Sequence, residues 1–396
     1  MAAKYQLITE LYRRTGVAVA KNPQAWQGFL SSACRNYKCR FDEQLLIYAQ
    51  RPDAVAVAKL ETWNRQFKRW VNKDSKGIAV FDPKGRRNTL KYYFDVSDTH
   101  EGYYGSRPVP IWQMDERYEQ TVMERLSDRF GDVGSTDLAS ALMETAKNAV
   151  EDNLQDYFSQ LKDCTKDSFL EELDDFNIEV IYRRLAANSV AFMLISRCGL
   201  DTNEFFDRED FADIVNFNTP ATINAIGVAT SDIAEMALRE ISQSIRNVQM
   251  AEKTRIAPLH KERRLSMIKT DNNPKGANTM SEITYSRQGD YLIPDLTLPT
   301  EPELPLGRYA LMHRDYLEKH KRVTYLNLLT SGRLNGHLHE VEQTALQRLE
   351  LLTKQLSAEQ GVTEELKEKA PMQWVGLMNN IRSQAEEVIL TELIYK

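Results

Sequence analysis

The stretch Gly77-Ile-Ala-Val-Phe81, followed by Asp82-Pro-Lys-Gly85 and then by Thr89-Leu-Lys-Tyr-Tyr-Phe-Asp-Val96, decides the fold of the first part of the chain. The two outer runs are rich in β-branched and aromatic residues, which is typical of strands. The middle run combines proline and glycine, which favour a tight turn. The sequence therefore predicts a β-hairpin, with Arg86 and Arg87 at its tip.

Helices are predicted on the N-terminal side of this hairpin, over residues 4–21, 23–37 and 42–50. Pro23 opens the second helix at a position where helices accept proline. Trp26 and Phe29 lie three residues apart, on the same face of that helix. Together with the hairpin, these helices make residues 1–114 a small α+β domain.

The rest of the chain is predicted to be helical. Residues 115–247 repeat apolar side chains at three- and four-residue spacing, as at Ile233, Ala237 and Ile241, and form a helical middle domain. A linker follows over residues 248–280, which carry basic residues and the run Thr270-Asp-Asn-Asn-Pro-Lys-Gly-Ala-Asn-Thr279, and a helical C-terminal domain over residues 281–396. The predicted class is α+β, mostly helical.

The net charge of −6 conceals a strong polarity along the chain. Residues 1–114 contain 19 Lys and Arg against 10 Asp and Glu, a net charge of +9. Residues 115–245 contain 11 against 27, a net charge of −16. This asymmetry favours contact of the basic end with a polyanion. The acidic segment is either a solvated helical face or a surface that imitates DNA toward a basic partner.

The basic segment interleaves cations with large aromatic rings, a combination that suits single-stranded nucleic acid. Cations follow the phosphates, and flat rings stack on unpaired bases. Arg86 and Arg87, at the predicted hairpin tip, are the strongest candidates for phosphate contact. The full set of predicted nucleic-acid-binding residues is Arg40, Arg51, Trp63, Arg65, Lys68, Arg69, Trp70, Lys73, Lys76, Lys84, Arg86, Arg87, Lys91, Tyr92 and Tyr93.

The motifs of several enzyme classes are absent from the sequence. It contains no Gly-x-x-x-x-Gly-Lys-Ser/Thr phosphate loop, no Gly-x-Gly-x-x-Gly after a strand and no Gly-x-Ser-x-Gly. His100-Glu101 and His339-Glu340 lack the second histidine of a zinc-protease helix. The four cysteines form neither a disulfide framework nor a metal-ligand cluster. We therefore expect a protein that is not an enzyme, without catalytic residues, cofactor or metal.

The hydropathy of the chain gives no indication of a membrane. Its apolar runs fall far short of the roughly 20 residues that a bilayer crossing needs. Its first residues lack the pattern of a secretory signal. The expected location is the cytoplasm, with no membrane partner.

The N-terminal part resembles the single-stranded-DNA-binding domain of ArdC-type antirestriction proteins. The resemblance is carried by Trp26–Leu30, Asn36-Tyr37, Gln44–Ala54, Trp63, Trp70-Val71 and Gly77-Ile78. Through Val150–Leu154 and Arg197–Leu200, the chain also resembles the leading part of large helicase/methylase-like proteins of conjugative elements. The protease, helicase and methyltransferase motifs of these families are missing here, so their catalytic activities are not implied.

Residues 281–396 resemble the TnpV family of transposon-encoded proteins. The matching motifs are Ile283–Tyr285, Tyr291–Leu296, Gly307–Tyr309, Leu328–Leu334, Glu359–Leu366 and Met372–Arg382. This resemblance implies a mobile genetic element and names no reaction.

The sequence as a whole favours a non-catalytic mobile-element protein. It is expected to bind nucleic acid, with single-stranded DNA favoured, or a host defence nuclease of the restriction or CRISPR effector type, or both, and its role would be to protect incoming DNA. Two alternatives stay open at this point. One is a remnant of a nuclease or methyltransferase, and the other is an inert structural or regulatory fusion.

Overall fold

The computed structural model describes residues 2–82, 89–103, 105–134, 137–256, 285–288, 291–294 and 306–396. The described residues are 71% helical with a small N-terminal sheet, which confirms the predicted α+β, mostly helical class. Contacts divide it into two compact units. In the described chain, the first unit extends to residue 294 and the second comprises residues 306–396.

The first unit begins with three helices, as the apolar spacing and the position of Pro23 predict. They are α1 Ala2–Val19, α2 Pro23–Ala33 and α3 Phe41–Gln50. Asn22 caps α2, because its side chain accepts a hydrogen bond from Ala25 N at 2.9 Å. Trp26, Phe29 and Leu30 are fully buried on the inner face of α2.

Short strands follow α3. They are β1 Val57–Lys59, β2 Arg69–Val71, β3 Ile78–Asp82, β4 Thr89–Asp95 and β5 Thr99–Glu101, and a helical turn, α4 Leu60–Thr62, follows β1. β3 and β4 form the predicted antiparallel hairpin, with Ile78 opposite Tyr93 and Asp82 opposite Thr89. β1 adds to the other side of β4. β2 and β5 form a separate antiparallel ribbon.

Helices make up the rest of the first unit. They are α5 Glu116–Phe130, α6 Leu138–Asp152, α7 Leu154–Lys162, α8 Asp175–Cys198 and α9 Pro220–Ile256. α9 continues beyond residue 247, where the linker was expected to begin. Its last turns are held to α5 by a hydrogen bond from Gln249 Nε2 to the Tyr118 hydroxyl, 3.3 Å, and by an ion pair between Arg117 and Glu252.

Buried polar contacts join the N-terminal helices to α8 and α9. Tyr12 Oη donates to Asn224 Oδ1 at 2.6 Å, and Trp26 Nε1 donates to Ser189 Oγ at 2.8 Å. Gly227 of α9 lies against the ring of Phe41, where a β-carbon would come within 2.2 Å of ring atoms. The expected boundary between residues 114 and 115 thus falls inside one compact unit. The division into domains 1–114 and 115–247 stays a prediction.

A second hairpin completes the described part of the first unit. It consists of β6 Tyr285–Gln288 and β7 Tyr291–Pro294. Gly77 N donates to Leu292 O at 3.0 Å, and Leu292 N donates to Ser75 O at 3.2 Å. β7 therefore pairs by backbone hydrogen bonds with the segment that leads into β3.

The second unit is helical. Its helices are α10 Arg308–His320, α11 Arg322–Thr330, α12 Leu334–Glu359, α13 Glu364–Lys369 and α14 Pro371–Ile389. Tyr309, Ala345, Ile389 and Ile394 form a buried cluster in its core. Among all described helices, none has the length and apolar character to span a membrane.

Candidate nucleic-acid interface

The ribbon of β2 and β5 presents an aromatic ring to solvent. Trp70 lies opposite His100 in the ribbon and is 50% exposed. Its indole lies over Gly102, where a β-carbon would come within 2.9 Å of Trp70 Nε1. Gly102 therefore leaves room for the ring to lie along the ribbon.

A second exposed ring follows directly after β5. Gly105, at φ +83°, donates its N–H to Gly102 O at 2.9 Å and closes a tight turn. Tyr103 stands in this turn and is 97% exposed. The Trp70 and Tyr103 rings thus belong to neighbouring backbone segments on the outside of the molecule.

Cations accompany these rings. Gly102 N donates to Lys68 O at 3.3 Å, and Arg107 N donates to Phe67 O at 2.8 Å, so backbone contacts bring both cations beside the ribbon. Lys68 and Arg107 are exposed, and neither has a carboxylate within ion-pair distance among the described residues. We call Lys68, Trp70, Tyr103 and Arg107 the ribbon surface.

Other predicted cations lie near the same segment. Arg65 belongs to the helical turn Trp63–Phe67, which precedes β2. Lys73 and Lys76 follow β2. Arg65, Lys73 and Lys76 are all exposed. Arg69 is different, because its guanidinium bonds the Thr99 hydroxyl and carbonyl and approaches Glu101 to 3.7 Å. Arg69 therefore holds the ribbon together.

Three further predicted phosphate contacts are engaged in the fold. Arg40 pairs with Asp42 at 2.8 Å, and Arg51 pairs with Asp98. Lys91 Nζ lies 2.5 Å from Glu43 Oε1. Lys91, with Arg40, lowers the pKa of the Glu43 carboxyl against the opposing effect of its burial. Carboxylates of the fold therefore balance the charges of these three cations.

Two of the remaining predicted aromatic contacts also face inward. Trp63 is only 1% exposed and donates Nε1–H to Phe94 O at 2.9 Å, so it is a core residue and not a stacking platform. Tyr93 is half-buried and donates its hydroxyl to Glu43 Oε1 at 3.1 Å. Tyr92 is half-buried. Lys84, Arg86 and Arg87, including the predicted hairpin tip, lie outside the described residues.

A pocket of about 310 Å³ opens beside the helical turn that precedes the ribbon. Four aromatic rings contribute to its lining: Tyr37, Trp63, Phe67 and Trp112. Trp112 is 5% exposed and donates Nε1–H to the Tyr37 hydroxyl at 3.1 Å, which fixes both rings. At the lining, Val55 and Ile111 are large apolar residues that stay more than 40% exposed.

The charged lining of this pocket is entirely basic. Arg35, Lys38 and Arg197 contribute, and no Asp or Glu does. Arg197 reaches the pocket from the last turn of α8, which ends where Gly199 adopts φ +82°. Its guanidinium lies 3.7 Å from the centre of the Trp112 ring and donates to Trp112 O at 2.8 Å. Burial lowers the pKa of Arg197 from its ordinary value.

Sequence reasoning missed several residues of this region, among them Tyr103, Arg107, Trp112 and Arg197. The Gly-Tyr-Tyr-Gly run at residues 102–105 was an available signal, because glycines on both sides of aromatic residues favour an exposed turn. No local signal links Arg197 to Trp112, which lie far apart in the chain. Within the described ranges, no group of three or more metal-ligating side chains occurs.

Comparison with known families identifies one region. Residues 284–394 match the family model described as transposon-encoded protein TnpV. The matched region contains the β6–β7 hairpin and almost all of the second unit. No curated protein and no solved structure matches the chain. The match points to a protein of a mobile genetic element. The resemblance of the first part to ArdC-type proteins stays a prediction.

Proposed function

We propose that this mobile-element protein binds single-stranded nucleic acid, with single-stranded DNA as the preferred ligand, through the ribbon surface. The observation that supports this best is that two exposed rings, Trp70 and Tyr103, lie beside Lys68 and Arg107. Among the described residues, no carboxylate lies within ion-pair distance of these two cations. A base stacked on an aromatic ring gains about 1–3 kcal/mol, whatever its sequence. Cations beside the rings neutralise the phosphates of the same strand.

The charge distribution supports the same assignment. The acidic residues of segment 115–245 give it a net charge of −16, which repels a polyanion and restricts binding to the basic part of the molecule. A duplex keeps its bases stacked on one another, so it gains from the cations and not from the rings. The proposed preference is therefore for single strands.

Fluorescence anisotropy with a labelled oligothymidine tests this proposal. Trp70→Ala should raise the Kd about 5- to 100-fold, since it removes one stacking platform. Phe176→Ala is a matched control, because Phe176 of α8 is a ring that is 74% exposed and belongs to the acidic segment. Equal affinities of wild type and Trp70→Ala, or a wild-type protein that ignores the oligonucleotide, would refute the proposal.

We propose further that binding is not followed by a reaction. The oligonucleotide should therefore be recovered intact after incubation with the protein and Mg²⁺ or Mn²⁺. Cleavage or methylation of the strand would support the alternative of an enzyme remnant.

The biological role that fits these properties is protection of incoming DNA, as the ArdC resemblance implies. A strand covered by the protein is sterically closed to a defence nuclease, and the acidic segment offers a surface of the sign that a basic nuclease channel attracts. Transformation of restriction-proficient cells should rise on expression of the wild type. It should rise less with Trp70→Ala, and restriction-deficient cells should show no difference.

A further inference from the structure

The pocket lined by Tyr37, Phe67, Trp112 and Arg197 presents positive charge, and no carboxylate among the described residues contributes to its lining. Arg197 is half-buried, and its guanidinium donates a hydrogen bond to a carbonyl, Trp112 O. The Arg35 guanidinium donates three hydrogen bonds, to the carbonyls of Ala54, Ser31 and Pro52. Carbonyl groups orient a cation without neutralising it, and a partly buried charge without a counter-charge is costly. An anion in the pocket would remove this cost.

The walls of the pocket suit a flat, weakly polar body. Trp112 and Tyr37 are fixed by the hydrogen bond between Trp112 Nε1–H and the Tyr37 hydroxyl. Rigid rings of this kind bind aromatic ligands by stacking or edge contacts without losing side-chain freedom. Val55 and Ile111, both exposed at the lining, would be covered by such a ligand.

The size of the pocket limits the occupant. Its volume of about 310 Å³ lies at the lower end of the range of small-molecule sites, roughly 300–1,000 Å³. A site of this volume can hold a single base-sized ring system with one charged substituent. A ligand that is planar, aromatic and anionic therefore satisfies the lining, the charge and the volume together.

We propose that this pocket binds one nucleotide, with the base between the aromatic walls and the phosphate on the Arg197 side. The proposal deepens the proposed function, on which it rests for the source of the nucleotide. Phe67 lines the pocket, and its carbonyl bonds the backbone of Arg107 of the ribbon surface, so the pocket and the ribbon surface are adjacent. An unstacked nucleotide of a bound strand would enter it. A free nucleotide has the same chemistry and would enter it too.

Isothermal titration calorimetry of the full chain with thymidine 5′-monophosphate tests the pocket directly. Thymidine, which lacks the phosphate, and deoxyribose 5-phosphate, which lacks the base, should each bind at least about 10-fold more weakly, because each loses one of the two recognition terms. Arg197→Gln should weaken the mononucleotide by about 10-fold or more, since hydrogen bonds to charged groups are the stronger ones. Arg125→Gln is the matched control, because Arg125 lies on α5, is not part of the pocket lining and pairs with Glu240.

A second variant tests the pocket independently, in case Arg197→Gln does not fold. Val55→Trp adds a large ring at an exposed position of the lining, where it should close the pocket without disturbing the core. Circular dichroism should show an unchanged fold. Mononucleotide binding should fall to the level of thymidine alone, and Trp70→Ala should leave it unchanged.

The outcomes separate the two proposals. Mononucleotide binding that is lost in Val55→Trp supports the pocket, even if the chain fails to bind a strand and the proposed function falls. A chain that binds oligothymidine, ignores the mononucleotide and is indifferent to Val55→Trp overturns the pocket and leaves the ribbon surface standing. Binding of deoxyribose 5-phosphate as tight as that of the nucleotide would also overturn it, since the base would then contribute nothing.

Discussion

A hydrogen-bonded pair of histidines, His313 and His337, makes the stability of the second unit depend on pH. His313 Nδ1 lies 2.8 Å from Ile394 O, and since a carbonyl only accepts, this nitrogen carries the hydrogen. The other nitrogen of His313 is 3.3 Å from His337 Nε2, so in the neutral pair His337 Nε2–H is the donor. The pair joins α10, α12 and the C-terminal turn at Leu390–Ile394.

Acidification is expected to destabilise the second unit through His337. Burial, followed by the nearby His313, lowers the pKa of His337 from its ordinary value. The unfolded chain therefore binds the proton more readily than the folded protein. Stability contributed by this residue is full above the unfolded pKa, about 6.5, and is lost as the pH falls through the lower folded pKa.

The measurement is the melting temperature of the second unit between about pH 7.5 and about pH 5. His337→Gln keeps an N–H donor and removes the titration, so its melting temperature should depend less on pH than that of the wild type. His339→Gln is the control on the same helix and should keep the wild-type dependence. Parallel curves for wild type and His337→Gln would show that another group is responsible.

Two tryptophans with similar sequence neighbours have different environments in the fold, and the local sequence does not distinguish them. Trp63 and Trp70 are both flanked by cations, yet Trp63 bonds Phe94 O in the core while Trp70 is half exposed on the ribbon. The difference arises from long-range packing. Phe94 of β4 packs on Trp63 and buries it, whereas half of the Trp70 surface stays exposed. For the same reason, the pairing of Lys91 with Glu43 was not predictable from their positions in the chain.

At the scale of elements, close backbone approach fixes how α9 packs on α3. The Phe41 ring lies where a β-carbon of Gly227 would be, at 2.2 Å. Overpacking by Gly227→Ala should cost about 1–3 kcal/mol, and the gain in helix propensity of about 1 kcal/mol offsets part of it, so we expect a net destabilisation of the first unit of up to about 2 kcal/mol. Urea unfolding followed by circular dichroism measures this change.

Gly16→Ala is the control for that substitution. Gly16 lies in α1 of the same unit, and an added β-carbon would meet side chains of Ile223 and Leu45 only at 3.5 Å and beyond, which is ordinary contact. We expect Gly16→Ala to be neutral or stabilising. A stabilised Gly227→Ala would mean that Phe41 moves aside readily and that this contact does not set the helix packing.

The elements differ in how far the sequence predicted them. The β3–β4 hairpin was predictable, because two apolar runs flank a proline–glycine turn, and the first three helices were predictable from caps and spacing. The β2–β5 ribbon was not, since strands such as Arg69–Val71 are too short to show alternation. The candidate site is built on that ribbon. The sequence therefore predicted some of the cations of the site, such as Lys68, but not how the ribbon arranges them.

At the scale of the whole molecule, the two compact units have separate cores. The second unit comprises α10–α14 in the described chain, with its own buried cluster around Tyr309 and Ile389. The buried Glu342 carboxylate accepts the N–H of Ala310 at 2.6 Å and so satisfies a free donor at the start of α10. The β6–β7 hairpin, although inside the TnpV match, belongs to the first unit.

A fragment covering residues 300–396 is therefore expected to fold alone, since it retains every described helix and core residue of the second unit. Differential scanning calorimetry should give one cooperative transition at the temperature of the matching transition in the full chain. The longer fragment 281–396, the expected C-terminal domain, should melt at the same temperature, because the added hairpin packs elsewhere. A broad, non-cooperative melt of both fragments would show that the second unit depends on the rest of the chain.

The ribbon surface is claimed to contact single-stranded nucleic acid, and photo-crosslinking can map that contact residue by residue. An oligonucleotide carrying 4-thiothymidine would be bound to the full-length protein, irradiated and digested, and the modified residues located by mass spectrometry. The crosslinks are predicted on Trp70 and Tyr103, and to fall away with rising salt as phosphate contacts are lost. Crosslinks confined to segment 115–245 or to residues 306–396, or their absence at low salt, would contradict the claim.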